Sequence, residues 1–503
     1  MSNEFGIIDL FAGPGGLGEG FSVAGREAST RMSIELSIEK EATEVETLRL
    51  RSFLRSFEEG FPEEYYSALQ NGTPTKELPG LLAQAYPDRW EKAIKEARCM
   101  ELGKPGVFEE IAEILDNARE RYNGNTLLIG GPPCQAYSLV GRSRNRGKAD
   151  YNAAADHRHW LFREYVRILD RLRPAAFVME NVQGILSSTV DGLEIFKHIR
   201  EDLQAAGDGY TLLPLAADRL TDETDPKDFR ILASDFGVPQ ARHRVIILGI
   251  RKDIKAPTGT HSLMKRTLPP ATVHSVLSGL PALRSGITRQ KDNARNWHEA
   301  VHHQAHLILT GKNVDNELRT AARSLAKGNL ATFENRTSRH RSNDEPALSG
   351  PLADWLRDDR LGITIQHETR GHMASDLGRY LFCALFAQIY GRSPKLPDFP
   401  NFLLPNHRNV ASGKFVDRFH VQRWETPSRT VTSHIKKDGH AFIHPDPAQV
   451  RSLTVREAAR LQSFPDNYLF MGSRGDQFHQ VGNAVPPFLA LQIARAVRDI
   501  VSR

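Results

Sequence analysis

The stretch Phe5-Gly6-Ile7-Ile8-Asp9-Leu10-Phe11-Ala12-Gly13-Pro14-Gly15-Gly16-Leu17-Gly18 decides the fold. Residues 5–11 (FGIIDLF) form a short apolar, β-prone run. The glycine-dense turn after it leads into a helical pattern near Glu19-Gly20-Phe21. Strand, glycine turn and helix, in that order, open a βαβ unit.

Working outward, a second β-prone run at Arg31–Ile38 ends at Glu39. Residues 42 to about 121 read mostly as helix, rich in Glu and broken by the loop Asn71-Gly72-Thr73-Pro74. Thr126–Gly130 has the pattern of a buried strand and runs into Gly131-Pro132-Pro133-Cys134. Trp160–Leu172 reads as an amphipathic helix, Ala176–Met179 as a strand entering Glu180-Asn181-Val182, and Val245–Ile250 as one more strand. This alternation predicts an α/β fold with a doubly wound, mostly parallel sheet over roughly residues 1–250. From about 255 to 420 the rhythm is lost, and Gly and Pro punctuate the chain (Pro269-Pro270, Pro394 to Pro405). That segment is expected to be a second, smaller, irregular domain. The predicted division is 1–254 with an acidic helical insertion at about 55–120, then 255–423, then 424–503 returning to complete the first domain.

Composition narrows the class. The 503 residues are 40% hydrophobic and 25% charged, which is ordinary for a soluble globular chain. No apolar run approaches the roughly 20 residues needed to span a bilayer. Met1 to Asp9 has no basic region followed by an apolar one, so no signal peptide is expected. Three cysteines (Cys99, Cys134, Cys383) cannot build a disulfide framework, and a reducing cytoplasm is the expected compartment. The net charge of +5 hides an uneven distribution. Residues 251–424 carry 26 Lys+Arg against 15 Asp+Glu and 11 of the 19 histidines, while the rest of the chain is net acidic. A basic segment inside an acidic protein points to a polyanion as partner.

The chemistry concentrates in a few short runs. Gly13-x-Gly15-x-x-Gly18 matches a dinucleotide-binding fingerprint, and Glu39 lies 21 residues beyond Gly18. Glycines let backbone approach a ligand, and a carboxylate ending the second strand can accept from two ribose hydroxyls. NAD and S-adenosylmethionine both offer that diol, so the fingerprint alone does not choose between them. Pro14 removes an N–H that a pyrophosphate would use, and Phe11 supplies an aromatic at the turn. In Gly131-Pro132-Pro133-Cys134-Gln135, two prolines stiffen the approach to a cysteine at the carboxyl end of a strand, which suits a presented nucleophile. A polar, cation-bearing loop follows, with Ser138, Arg142 and Arg144. It is placed to close over a phosphate backbone. Glu180 after an apolar strand is either buried or functional. Alternation through Gln240-Ala241-Arg242-His243-Arg244 puts Gln240, Arg242 and Arg244 on one face, a set suited to a planar carbonyl, a carboxylate or a phosphate. His367 and His372 have no Cys partners at zinc-site spacing, so no metal is expected.

These runs, in this order, resemble the motifs of the cytosine-5 DNA methyltransferase family: Asp9 to Gly16, Gly131 to Ser138, Glu180-Asn181-Val182, Gln240 to Arg244, and Gln480-Val481-Gly482-Asn483-Ala484-Val485-Pro486-Pro487. The resemblance implies the S-adenosylmethionine-dependent, Rossmann-like methyltransferase fold, with 255–423 as target-recognition domain. It implies that Cys134 adds to C6 of a flipped-out cytosine, that Glu180 acts at N3, and that Arg244 holds O2 with Gln240 and Arg242 in support. Phe11, Ala12, Gly13, Pro14, Gly15, Gly16, Glu39 and Pro133 would hold S-adenosylmethionine, with Asn483, Ala484 and Val485 returning to complete the pocket. Gln135, Ser138, Arg142 and Arg144 would meet double-stranded DNA. Arg319, Arg323, Arg336, Arg339, Arg341, Arg370 and Arg408 are candidates for reading it. A monomeric enzyme acting on cytoplasmic DNA in restriction–modification or phage defence is the implied setting. A silent DNA-binding relative would need to have lost Cys134 or Glu180, and both are present. A tRNA substrate fits the long basic segment less well than duplex DNA does. A nicotinamide oxidoreductase leaves the Pro-Pro-Cys and Glu-Asn-Val runs without a role.

Overall fold

A computed structural model describes residues 4–27, 30–133, 158–190, 193–217, 225–259, 262–267, 269–327, 334–340, 349–406 and 416–502. The chain forms two compact units. One comprises residues 1–238, 242–269 and 484–503, the other 239–241 and 270–483.

The first unit is built on a sheet whose opening strand is β1 (Glu4–Leu10). Five of its seven residues are apolar or Gly and all but Glu4 are buried, as a strand covered on both faces requires. It leads through the glycine turn into α1 (Gly16–Ala24), then β2 (Arg31–Glu39) and α2 (Ala42–Arg55). Helices α3 (Glu63–Asn71), α4 (Leu78–Ala85) and α5 (Pro87–Glu96) follow, then a short β3 (Ala97–Cys99), α6 (Val107–Arg121) and β4 (Thr126–Gly130). The helix Arg158–Leu172 connects β4 to β5 (Ala176–Val182). The sheet order is β3-β2-β1-β4-β5, then His243–Arg251, then Tyr210–Leu213, with Arg230–Leu232 also paired to His243–Arg251. Pairings from β3 through β5 are parallel, and His243–Arg251 runs antiparallel to its neighbours. The order reverses direction between β1 and β4, which is where doubly wound sheets open a ligand crevice at the carboxyl ends of their strands.

The two faces of the sheet differ in what they bury. Ile8, Leu10, Leu36, Ile38, Leu128, Phe177, Met179, Val245 and Ile247 join Tyr165 and Leu169 in one apolar cluster. Asp9 and Ser37 alternate to the other face, partnered in register across β1 and β2.

The predicted strands and helices of this unit are present, and the acidic insertion is helical apart from β3. β3 was not anticipated, because three residues are too few to show periodicity. The predicted boundaries shift. The first unit runs on to 269, and only 484–503 returns to it; residues 424–483 cluster with the second unit.

The reason lies in the hydrogen bonds of that segment. Gln240 Nε2 donates to Leu461 O and Gln462 Oε1, Arg460 Nη1 donates to Val276 O, and Thr430 Oγ1 donates to Ala241 O. The second unit has helices at Ala294–Thr310, Asn316–Ala326 and Ala374–Tyr390, and strands of two residues only. Residues 376–389, apolar at helical spacing, lie within the last of these helices, buried from Asp376 to Phe386. No helix among the described residues is long and apolar enough to cross a membrane.

Buried histidines stitch this irregular unit together. His367 Nδ1 lies 2.9 Å from Thr454 Oγ1 and its Nε2 2.8 Å from Pro281 O, and His372 Nε2 lies 3.1 Å from Ser452 Oγ. Burial pushes His367 and His420 down to about 4 and His444 to about 3, and holds His372 well below its usual range. Each is therefore neutral when folded and readily protonated when unfolded, where the ordinary value is near 6.5. Their contribution to stability is complete above about pH 6.5 and is lost as pH falls toward 4. Melting temperature should accordingly hold steady from pH 8 to 7 and fall from pH 6.5 to 5; a profile flat to pH 5 would contradict this.

Candidate active site

The turn between β1 and α1 is strained. Phe11 has φ 55°, and Gly13 and Gly15 have φ 56° and 95°. An aromatic residue in the left-handed region costs free energy and persists where its surroundings hold it. Here Ala12 N donates to Ile38 O (3.0 Å) and Gly15 N to Ala12 O (3.0 Å). Gly15 caps α1 with no side-chain hydrogen bond.

Glu39 faces this turn. Its Oε2 accepts from Gly13 N (3.0 Å), and its Oε1 from Lys40 N (2.7 Å) and Glu41 N (3.1 Å). Burial, with Glu44 adding to it, pushes the Glu39 carboxyl up to about 6 against these backbone donors. Met100 N donates to Glu39 O (2.9 Å), so the end of β3 lies beside it. Phe11 and Met100 are both partly exposed and pack on the same apolar cluster. From the far end of the chain, the Val485 carbonyl presses on the turn. A Cβ at Gly16 would stand 2.2 Å from that oxygen, and Ala484 is its next neighbour. Asn483 ends the helix Arg474–Asn483 in the other unit, its Nδ2 3.3 Å from the His479 ring nitrogens.

Sequence reading missed Asp9. It is 1% exposed, and neither carboxylate oxygen has a hydrogen-bond partner among the described residues; the buried Ser37 hydroxyl opposite it is also unpartnered. Burial pushes its carboxyl up to about 8, opposed by Arg55 and reinforced by Glu39 and Glu96. Its signals in the sequence are an acid inside an apolar strand and its place at the head of the run Asp9 to Gly16.

The second half of the site sits on β4, β5 and the antiparallel strand. Glu180 Oε1 and Arg244 Nε are 2.5 Å apart, with both side chains largely buried. Register explains the pair: Glu180 faces Ile246 and Val182 faces Arg244, which puts Glu180 and Arg244 diagonally on one face. The carboxylate is thus met by a guanidinium rather than left in an apolar pocket. Gly131 is pressed against it, and a Cβ there would come within 2.8 Å of Glu180 Oε2. Asn181 Nδ2 donates to Pro132 O (3.1 Å) and fixes the chain that leads to Pro133. Cys134, Gln135, Ser138, Arg142 and Arg144 lie outside the described residues.

The alternation expected for residues 240–244 is seen in their burial: Gln240 and Arg242 are buried and Arg244 is half-buried, while Ala241 and His243 are exposed. The strand is interrupted at Arg242. Gln240 belongs to a separate two-residue strand, paired in parallel with Ser428–Arg429, and its amide is consumed by Leu461 O, Gln462 Oε1 and Val431 N. Arg242 is fully buried, and burial, with Arg244 adding to it, lowers its affinity for a proton.

Several cations suggested for reading a target are also committed elsewhere. Arg319 donates to Val314 O and Gly311 O, Arg336 pairs with Asp292, and Arg370 donates to Ile435 O and stacks 4.3 Å from Phe478. Arg341 and Arg408 lie outside the described residues.

A doubly wound sheet with a strained glycine turn, a carboxylate bonded to that turn and a carboxylate–guanidinium pair at the end of one strand has the layout in which such folds hold ligands. Comparison with known proteins gives the family. Residues 89–499 match the model for C-5 cytosine-specific DNA methylase. The chain is 34% identical over 99% of its length to Type II methyltransferase M.Bpa9945I of Bacillus paralicheniformis, 99% of which is covered. It is 28% identical over 98% of its length to Type II methyltransferase M.AgeI of Thalassovita gelatinovora, again 99% covered. Among solved structures, a DNA modification methyltransferase encoded within an E. coli prophage matches with TM-score 0.57 and 18% identity, over 99% of this chain and 100% of that one, which supports the fold. The protein belongs to the C-5 cytosine-specific DNA methylase family and is a DNA (cytosine-5-)-methyltransferase.

Asp9 yields a stability prediction. A carboxyl that ionises near 4 when unfolded and near 8 when folded costs stability increasingly as pH rises between those values. Asp9→Asn keeps the shape and removes the titration. It should raise the melting temperature by several degrees at pH 7.5 and little at pH 5; equal melting at both would show that the carboxyl is not desolvated.

Proposed function

We propose that this enzyme transfers a methyl group from S-adenosylmethionine to C5 of a cytosine flipped out of double-stranded DNA, through a covalent adduct of Cys134 with C6. The observation that carries this reading is the Glu180–Arg244 pair at the end of β5, on the sheet edge to which Pro132-Pro133 lead the chain.

The cofactor fits the turn beside β1. Glu39 Oε2, which accepts one backbone N–H, keeps a lone pair for a ribose hydroxyl, while Phe11 and Met100 offer partly exposed apolar surface for an adenine. Gly13 to Gly16, Pro133, Ala484 and Val485 would border the rest, and Asn483 is assigned with them. When bound, S-adenosylmethionine supplies an electrophilic methyl group.

The chain's own residues do the remaining work. A cytosine C5 is a poor nucleophile until a thiolate adds at C6. Cys134 forms that bond, and the electron pair displaced toward C5 makes it reactive. Glu180 hydrogen-bonds N3, where charge develops, and Arg244 holds both the Glu180 carboxylate and the O2 edge of the ring. Arg242 is assigned a supporting role beside Arg244 in sequence, whereas Gln240 acts by pinning Val431 and Leu461. After methyl transfer a base removes the C5 proton, the C6–S bond breaks and the thiolate is released. A base stacked in a duplex is out of reach of any such residue, so the nucleotide must leave the helix. Gln135, Ser138, Arg142 and Arg144 follow the nucleophile in sequence and are assigned to the DNA. The relatives' designation as Type II methyltransferases supports a role in marking self DNA for restriction–modification.

Labelled methyl transfer to duplex DNA should vanish in Cys134→Ala and fall about 10²- to 10³-fold in Glu180→Gln, the usual loss for one charge-stabilising group. Full activity of Cys134→Ala would sink the proposal. Glu39 ionises near pH 6 in the fold, so wild-type affinity for S-adenosylmethionine should weaken as pH falls from 7 to 5.5. By titration calorimetry, Glu39→Gln should bind more weakly at pH 7 and lose that pH dependence.

A further inference from the structure

Four consecutive side chains of the second unit, Thr288, Arg289, Gln290 and Lys291, are exposed, and none forms a side-chain hydrogen bond or ion pair with a described residue. Their backbone, in contrast, is fastened at both ends. Gly286–Ile287 pairs in parallel with Gly371–His372, and Thr288 N donates to His372 O (2.9 Å). At the other end Asn296 Nδ2 donates to Lys291 O (2.8 Å), and Asn293 caps the helix that follows.

Asp292 closes the loop. Its Oδ1 accepts from Arg284 Nη1 (2.7 Å) and Ile287 N (3.4 Å), and its Oδ2 from Arg336 Nη1 (2.7 Å). Arg284 is itself buried and donates to Ser285 O and Glu334 O. At the loop's tip Arg289 has φ 67°. A long side chain adopts that conformation only where its surroundings impose it, and such residues gather at ligand-binding places.

The chemistry presented is specific. Loop and clamp hold four cations, Arg284, Arg289, Lys291 and Arg336, against one carboxylate, Asp292, which is already occupied. The free groups are a guanidinium fork, an amide with donor and acceptor, a hydroxyl and an ammonium. Phosphate needs only donors, whereas an amide beside a fork matches the mixed donor–acceptor pattern of base edges. A loop ordered before it meets its ligand also loses little entropy on binding.

We propose that residues 288–291 are a base-reading loop, with Arg289 forked onto N7 and O6 of a guanine in the major groove, Gln290 on a neighbouring base edge, and Lys291 on a phosphate. This rests on the reading of the enzyme as a modifier of specific duplex DNA, and it names residues that do the specifying.

The test uses the full chain and bisulfite sequencing of a DNA library after limited methylation. Arg289→Ala should still methylate, but discrimination at one guanine-bearing position should fall about ten- to hundredfold. Arg289→Lys should relax the same position less. Arg289→Gly, which relieves the left-handed backbone, should match Ala and exclude misfolding as the cause. Lys291→Gln should weaken binding to all sequences alike and reduce the slope of log affinity against log salt by about one. Unchanged relative rates across sites in Arg289→Ala would overturn the proposal. So would complete loss of activity in all three Arg289 variants with wild-type melting, since that would assign the loop to catalysis. A wild-type enzyme that methylates no DNA would overturn the underlying reading instead.

Discussion

The pairing of Glu180 with Arg244 is the contact on which the catalytic edge depends. Two charges with so little solvent access are tolerable only together, because removing either leaves the other desolvated and unmatched. The pair exists because one strand runs against the rest. His243–Arg251 is antiparallel to β5, so it begins where β5 ends. A parallel strand in the same position would carry Arg244 to the opposite edge of the sheet. Gly131 is the third participant, since only a residue without Cβ lets the Glu180 carboxylate lie against the end of β4.

The same edge gathers the features that cost the fold most. Phe11 is held in a left-handed backbone, Asp9 is buried without a hydrogen-bond partner among the described residues, and Glu39 carries a carboxyl shifted by burial and by Glu44. The opposite face of β1 and β2 is an unbroken apolar cluster through Ile8, Leu10, Leu36 and Ile38. That separation is what a binding site on a rigid scaffold requires: packing on one side supports strain and desolvation on the other.

The second unit solves a different problem. Its chain is largely irregular, so many carbonyls lack ladder partners and side chains must satisfy them. Arginines do so from within. Arg456 donates to Ile365 O, Pro465 O and Tyr468 O; Arg460 bridges Asp466 and Val276 O; Arg451 forks onto Glu457. The basic excess of residues 251–424 is likewise partly structural. Arg319, Arg336 and Arg370 are spent inside the unit, whereas Arg289 and Lys291 are exposed and form no ion pair with a described residue.

By itself the sequence determined the strands, most helices and the glycine turn, because burial along a single element leaves a period that can be read from residue types alone. It also singled out the short runs that resemble the family's motifs. Tertiary structure alone decided their partners. Alternation through 240–244 predicted which side chains turn inward, but only the fold shows that Gln240 is claimed by Leu461, Gln462 and Val431 from more than 190 residues away. Asp9 looks like an ordinary polar lapse in a strand until α1 and β2 enclose it. β3 is too short to show a period, and its place beside Glu39 comes only from pairing. The physical reason is common to all three: periodicity records how deeply a residue is buried, while its charge state and hydrogen bonds depend on which distant segment is packed against it.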